Sequence, residues 1–175
     1  MIIPDYRVRE FCEIETTSPK LIEPFRVKNL QPASYDMILG NRFMIPVSRN
    51  EEITLNEPPQ YNTIIDHSIV IGPGQFMLAT TQEKVALPYD IVGKVEGCSS
   101  IGRMGLFIQN AGHIDPGFKG TITLELFNAA PYSIKLEAGE RICQVVFSFM
   151  DEPCESPYQG RYQNQKNTTG WRASA

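Results

Sequence analysis

Residues 121–127 read Thr-Ile-Thr-Leu-Glu-Leu-Phe and carry the pattern that decides the fold. With the two-residue period of a β-strand, the three aliphatic residues share one face, and Thr121, Thr123 and Glu125 share the other. The pattern predicts a half-buried strand with Glu125 pointing away from the aliphatic row. A solvated glutamate is the ordinary interpretation of such a position. A semi-enclosed pocket on that face would instead suit Glu125 to carrying protons.

Similar short apolar runs recur on both sides of this strand. They lie at 42–47, 68–71, 75–81, 91–95, 106–108, 132–136 and 142–149, with Gly, Pro and Asp turns between them. Many short strands without a βαβ rhythm predict an all-β sandwich, jelly roll or distorted barrel. One short helix is expected at 4–13, with Pro4 in its first turn. Residues 155–170 are mostly polar with a few aromatic residues, and they lack periodicity. This stretch is expected either to be disordered or to fold over a ligand.

The bulk composition limits the class of protein. A chain of 175 residues predicts one domain over 1–175. A net charge of −4 gives no electrostatic reason to bind nucleic acid. No long apolar run or signal-peptide pattern is visible, so we expect no membrane association and a cytoplasmic protein. Four widely spaced cysteines without a Cys-x-x-Cys pair predict free thiols.

Two segments before the strand carry groups suited to an anionic ligand. Residues 97–103, Gly-Cys-Ser-Ser-Ile-Gly-Arg, follow an apolar run and predict a strand-to-helical-turn junction. Ser99 or Ser100 is expected to cap that turn beside free N–H groups, with the Arg103 guanidinium nearby. An ordinary capped turn with a surface arginine explains the same residues. Asp115 lies in an Asp-Pro-Gly turn, which is either purely structural or the mount for a functional carboxylate.

Several hydrolase classes lose support from the motifs. Zinc deaminases need a His-x-Glu segment and a Pro-Cys-x-x-Cys ligand pair, and this chain has neither. A Walker phosphate loop and a Gly-x-Ser-x-Gly elbow are also missing from the sequence. Zinc chemistry of that kind is therefore not expected.

Several motifs in order resemble one family. They are Gln31-Pro-Ala-Ser-Tyr-Asp-Met-Ile-Leu-Gly40, Pro73-Gly-Gln-Phe-Met-Leu-Ala-Thr-Thr81, Ser99-Ser-Ile-Gly-Arg-Met-Gly-Leu106, Ile114-Asp-Pro-Gly-Phe118, Ile122-Thr-Leu-Glu125 and Tyr158-Gln-Gly-Arg-Tyr-Gln-Asn-Gln165. The chain resembles the dCTP deaminases, which are grouped with the trimeric dUTPases. The resemblance implies a dUTPase-like distorted β-barrel or jelly roll with a short N-terminal helix. It also implies that residues from about 155 to 175 form a flexible C-terminal lid.

The resemblance also implies roles for individual residues. Glu125 would be the general acid/base of deamination, and Ser99 and Arg103 would orient it and the attacking water. Asp115 would hold the deoxyribose 3′-hydroxyl. The backbone at Thr123 and Leu124 would read the base, and Ser100, Gln144, Tyr158, Arg161 and Gln165 would contact phosphates. The expected nucleotide-binding residues also include Cys98, Ile101 and Gly102.

Cofactors and partners follow from the same resemblance. Mg²⁺ is expected with the triphosphate, held mainly by phosphates and water rather than by protein ligands, and zinc is not expected. The substrates would be dCTP or dUTP, with dTTP as an inhibitor. The assembly would be a homotrimer whose active sites are shared between subunits.

Two details bear on the activity. Residues 110–115, Asn-Ala-Gly-His-Ile-Asp, resemble the segment of dUTPases and of bifunctional deaminases, in which the aspartate helps a water attack the α-phosphate. This favours a dUMP-forming enzyme over a deaminase that stops at dUTP. Glu125 weighs against the second alternative, a dUTP diphosphatase without deamination. The intact set of Ser99, Arg103, Asp115 and Glu125 weighs against the third, a catalytically weakened binding protein. Cys98 departs from the family pattern, which has Arg or Lys there. Lys119, Lys166 and Arg172, from the same or a neighbouring subunit, are the candidates to replace the missing cation.

Overall fold

The computed structural model describes residues 1–14, 19–48, 52–109 and 112–172, and of Gln109 it describes only the backbone. Within these ranges the helices are α1 (Asp5–Glu13), α2 (Ser99–Arg103) and a short 3₁₀ helix (Val27–Asn29). The strands are β1 (Ile22–Glu23), β2 (Leu30–Gln31), β3 (Ser34–Ile38), β4 (Arg42–Pro46), β5 (Tyr61–Ile65), β6 (Ser68–Ile71), β7 (Phe76–Ala86), β8 (Ile91–Gly97), β9 (Leu106–Gln109), β10 (His113–Ile114), β11 (Lys119–Asn128), β12 (Ile134–Glu137) and β13 (Arg141–Phe149).

Two antiparallel sheets and a small strand pair make up this fold. One sheet has the order β5-β4-β7-β11-β9, with β1 also paired to β7, and the other has the order β10-β8-β13-β3-β2. Strands β12 and β6 form the separate pair. Met77 and Leu126 of the first sheet share a buried core with Met37 and Phe147 of the second. The described strands form no closed barrel, so the predicted all-β fold is confirmed in its jelly-roll-like form.

Helix α1 lies where the sequence predicted it. It begins at Asp5 with Pro4 as the preceding cap residue, and it buries Val8 and Cys12, which are four residues apart and so share one face. All four cysteines are free, as predicted. Within the described ranges, no helix is long and apolar enough to cross a membrane.

The motif at 31–40 acts mainly through packing. All five residues of β3 are buried, although polar Ser34 and Asp36 alternate with Tyr35 and Met37, and the sequence prediction missed this strand. Buried Asp36 accepts hydrogen bonds from Arg141 Nη1 (2.7 Å) and Gln31 Nε2 (2.9 Å). A Cβ on Gly40 would lie 2.7 Å from Thr80 Cγ2, so only glycine permits this approach to β7.

Residues 158–172, called the strap below, run along the start of β11. Asn164 N–H donates to the Lys119 carbonyl (2.7 Å), and Thr121 N–H donates to the Gln165 carbonyl (3.0 Å). Gln163 Nε2 donates to the Gly117 carbonyl (2.9 Å). These hydrogen bonds hold the strap against the strand that carries Glu125.

Candidate active site

A cavity of about 360 Å³ lies where β11, the Asp-Pro-Gly turn and the strap meet. Its lining includes six of the residues singled out in the sequence: Asp115, Thr123, Leu124, Glu125, Tyr158 and Gln165. Apolar side chains such as Val95 and Phe118 complete the wall around these polar groups. A mostly apolar cavity with a few converging polar groups is the usual form of a small-molecule site.

Strand β11 aims Glu125 into this cavity. Leu124 is 2% exposed and Leu126 is fully buried, whereas Thr123 and Glu125 are half-buried on the opposite face. The predicted division of the strand into two faces is therefore confirmed. Glu125 is half-buried rather than fully exposed, and it lines the cavity together with residues of the strap and the Asp115 turn.

The Asp115 turn is both structural and part of the cavity. Phe118 N–H donates to the Asp115 carbonyl (3.1 Å), and Gly117 adopts a φ of +84° that favours glycine. The Asp115 side chain is 50% exposed, with His113 Nε2 3.4 Å from its Oδ1. The carboxylate is thus accessible from solvent at the cavity wall. Of the segment 110–115, Asn110 and Ala111 lie outside the described residues.

The strap closes the cavity from the other side. Tyr158 N–H donates to the Pro116 carbonyl (2.8 Å), and its ring meets Phe118 edge-on at 5.6 Å. Gln165 is 9% exposed, and its Nε2 donates to the Thr121 carbonyl while its Oε1 has no partner among the described atoms. The second N–H of that amide remains available to a ligand.

A separate depression of about 750 Å³ holds most of the remaining predicted residues. Cys98, Ser99, Ser100, Ile101 and Gln144 line it. The expectation that Ser99 or Ser100 caps the turn is wrong: Cys98 is the N-cap residue of α2, and no side chain caps that helix. Helix α2 begins directly after Cys98, at Ser99, which is one residue earlier than a Ser99 cap would require.

Cys98 has an arginine nearby. Arg141, paired with Asp36, lines the same depression. Burial raises the pKa of Cys98, and the charge of Asp36 adds to this effect while that of Arg141 opposes it. The thiol is therefore protonated at neutral pH and is a poor nucleophile.

The two depressions share no lining residue. Gly102, Arg103 and Arg161 line neither of them. Arg161 Nη1 donates to the Arg172 carbonyl, and its guanidinium lies 6.0 Å from the centre of the Tyr162 ring. Tyr158 and Gln165, which were expected on the phosphates, therefore share the cavity with Glu125. Ser99, Ser100 and Gln144 lie apart from that cavity on the same chain.

The lysines suggested as compensating cations lie elsewhere on this chain. Lys119 and Lys166 line a third depression together with Lys20 and Lys84, away from Cys98. Arg172 instead donates to the Arg161 carbonyl (2.8 Å). On the same chain, the cation beside Cys98 is Arg141.

Aromatic residues that the sequence did not single out also line the cavity. They are Tyr61, Phe76, Tyr162 and Trp171. Tyr61 begins β5, whose β-branched run Thr63-Ile-Ile65 was a usable strand signal. The described ranges hold no cluster of three or more His, Cys, Asp or Glu side chains arranged to bind a metal.

Comparisons with known proteins agree on one family. The family described as dCTP deaminase-like matches residues 11–150. A Persephonella marina protein named dCTP deaminase, dUMP-forming, is 44% identical, covering 98% of this chain and 97% of that protein. A Sulfurihydrogenibium protein of the same name is 43% identical with the same coverage.

One solved structure supports the fold. The 2′-deoxycytidine 5′-triphosphate deaminase of Agrobacterium tumefaciens aligns with a TM-score of 0.67 and 20% identity. The alignment covers 85% of this chain and 47% of that chain, so this chain spans less than half of that protein.

Proposed function

The chain belongs to the dCTP deaminase-like family, which confirms the resemblance found in the motifs, and we propose on that premise that it hydrolyses dCTP to dUMP. Two water molecules are consumed and ammonia and diphosphate are released. The observation that carries the proposal is Glu125, a half-buried carboxylate on the wall of a ligand-sized cavity. A diphosphatase without deamination has no need of a glutamate there.

In the deamination step, Glu125 takes a proton from water, which attacks the ring carbon that bears the amine. It then passes protons to the ring nitrogen and to the departing ammonia. The backbone of Thr123 is suited to reading the base. Thr123 and Leu124 both line the cavity beside Glu125. Thr123 also contacts the strap, because its Oγ1 accepts a hydrogen bond from Thr169 N–H (3.1 Å).

In the second step, Asp115 binds the deoxyribose 3′-hydroxyl and helps a water attack the α-phosphate. Its half-exposed carboxylate on a rigid turn supports both contacts. Mg²⁺ on the triphosphate would neutralise charge during diphosphate release. The part of the chain that the structure describes holds no cluster of three or more acidic, His or Cys side chains for a metal, which fits an ion held mainly by phosphates and water, since Mg²⁺ usually keeps several waters.

The active-site residues in this proposal come from two subunits. Ser99, which would orient Glu125 and the water, lies with the phosphate residues Ser100 and Gln144 in a depression that shares no residue with the Glu125 cavity, so one chain does not assemble the whole set. A homotrimer would bring these residues together. One subunit would supply Glu125, Asp115 and the strap, and its neighbour would supply helix α2 with Ser99, Ser100 and Arg103. The proposal also includes inhibition by dTTP at this site and a cytoplasmic location, where free cysteines are ordinary.

One product assay tests the proposal. The protein is incubated with dCTP and Mg²⁺, and dUMP, dUTP, ammonia and diphosphate are resolved by chromatography. Equal amounts of dUMP, ammonia and diphosphate are expected. Accumulation of dUTP would identify a deaminase without the second step, and turnover of dUTP alone would identify a diphosphatase. No turnover of any of these nucleotides would leave only a binding function.

A further inference from the structure

The end of the strap packs on a strand to which the proposed chemistry gives no role. Tyr61 begins β5, at the edge of its sheet, and its half-buried side chain lines the cavity together with Glu125. A Cβ on Gly170 would lie 2.7 Å from Cε2 and 3.0 Å from Cδ2 of the Tyr61 ring. The strap backbone therefore lies directly against this ring.

Hydrogen bonds fix the strap just before this contact. The Thr168 hydroxyl donates to the Arg42 carbonyl on β4, and Thr169 N–H donates to Thr123 Oγ1 on β11 (3.1 Å). Beyond Gly170, the Trp171 backbone is close enough to the Tyr61 hydroxyl to lower its pKa. The Tyr61 ring is thus a contact for residue 170 after the strap leaves β11.

The chemistry of the Tyr61 hydroxyl suits this contact. Burial raises the pKa of Tyr61; the Trp171 N–H opposes the shift, whereas Tyr162 and Glu125 add to it. The hydroxyl is therefore protonated at neutral pH. It can donate its O–H to a ligand or water in the cavity.

We propose that Tyr61 is a positioning residue that docks the Gly170–Trp171 end of the strap over the cavity before nucleotide binds. If the Gly170–Trp171 end of the strap is docked in only a fraction of the molecules, the apparent affinity for nucleotide falls to that fraction of its intrinsic value. Tyr61 therefore acts on KM rather than on the chemical step. This kinetic consequence rests on the proposed function, whereas the docking itself does not.

Trp171 provides a direct test because it is the single tryptophan of the chain. Its emission and its quenching by acrylamide are measured without nucleotide in wild type, Tyr61→Ala and Tyr61→Phe. Tyr6→Ala is the matched control, since Tyr6 is 60% exposed on α1. In Tyr61→Ala we expect red-shifted, more readily quenched emission. KM for dCTP should rise about tenfold, with kcat within about twofold. Tyr61→Phe should lie between Tyr61→Ala and wild type, and Tyr6→Ala should match wild type.

A double-mutant cycle distinguishes docking from general loosening of the fold. Gly170→Ala should reproduce the Tyr61→Ala changes, because its Cβ collides with the ring. In the Tyr61→Ala background the collision is gone, so Gly170→Ala should add little. Unchanged Trp171 emission and KM in Tyr61→Ala would overturn the proposal, as would effects that multiply in the double variant. If the wild type turns over no cytosine deoxynucleotide, the proposed function fails, while the fluorescence series still decides whether Tyr61 docks the strap.

Discussion

Replacing Glu125 with glutamine is expected to separate the two proposed reactions. Glutamine has the same size, and the backbone pairing of residue 125 with Leu78 and Gln109 does not depend on charge. Among the described residues the Glu125 carboxylate forms no ion pair, so we expect the unfolding free energy to change by less than about 0.5 kcal/mol. Loss of one acid/base group typically costs about 10²–10⁴ in rate. Because Glu125 handles several proton transfers, we expect about 10⁴-fold, or roughly 5.4 kcal/mol at about 1.36 kcal/mol per tenfold.

The assay follows ammonia from dCTP and, separately, diphosphate from dUTP. The Glu125→Gln variant should release almost no ammonia, bind dCTP with an affinity within about threefold of wild type, and hydrolyse dUTP within about tenfold, because the Asp115 turn is intact. Glu10→Gln on α1 is a suitable control, since its exposed pair with Arg7 contributes little. Wild-type ammonia release from Glu125→Gln would remove this residue from the mechanism. Equal loss of both activities would refute the division of labour between Glu125 and Asp115.

Three further changes test other parts of the structure. Cys98→Arg should tighten dCTP binding about tenfold, since one charge-assisted phosphate contact contributes roughly 1.5 kcal/mol or more; unchanged or weaker affinity by calorimetry would contradict a missing contact. Burial raises the pKa of Glu83 above its ordinary value of 4.5, although its hydrogen bonds and the charge of Arg26 oppose this shift. Just above pH 4.5, Glu83 is therefore protonated more often in the folded protein than in the unfolded chain. The unfolding free energy of wild type relative to Glu83→Gln should therefore fall as pH rises through that window, and denaturant titrations showing a constant or rising difference would disprove this. Gly40→Ala should lower the unfolding free energy by about 1–3 kcal/mol, because its Cβ meets Thr80 at 2.7 Å; unchanged thermal and chemical denaturation would show that the site relaxes freely.

The elements that the sequence predicted well are those with local signals. Helix α1 has a proline at its start and a short apolar face, and β11 has strict alternation. Strand β3 alternates over only four residues, Ser34 to Met37, and β5 lies in a polar stretch where its aromatic and β-branched residues were overlooked. The polar residues of β3 are buried, which depends on tertiary partners such as Arg141 for Asp36 and is not visible in the local pattern.

The candidate site shows the same limit. The period of β11 identified the face that carries Glu125, and the Asp-Pro-Gly turn identified Asp115 as a rigidly mounted carboxylate. The residues of α2 were expected beside them and lie in another depression. The local sequence predicted a turn at these residues, but it carried no information about how far that turn lies from the Glu125 face of β11. Tyr61 and Trp171 were missed because they approach each other only through the path of the strap.

The sequence by itself determined which side chains share a face, where the chain turns, and which family the ordered motifs resemble. These properties depend on dihedral periodicity and turn chemistry, which act over a few residues. Only the tertiary structure decided that the strap lines the same cavity as Glu125, that Cys98 lies near Arg141, and that the serines of helix α2 lie apart from the cavity. Those facts depend on contacts between residues far apart in the chain, such as Thr123 with Thr169 and Asp36 with Arg141. Such contacts form only when the sheets pack, so no local pattern encodes them.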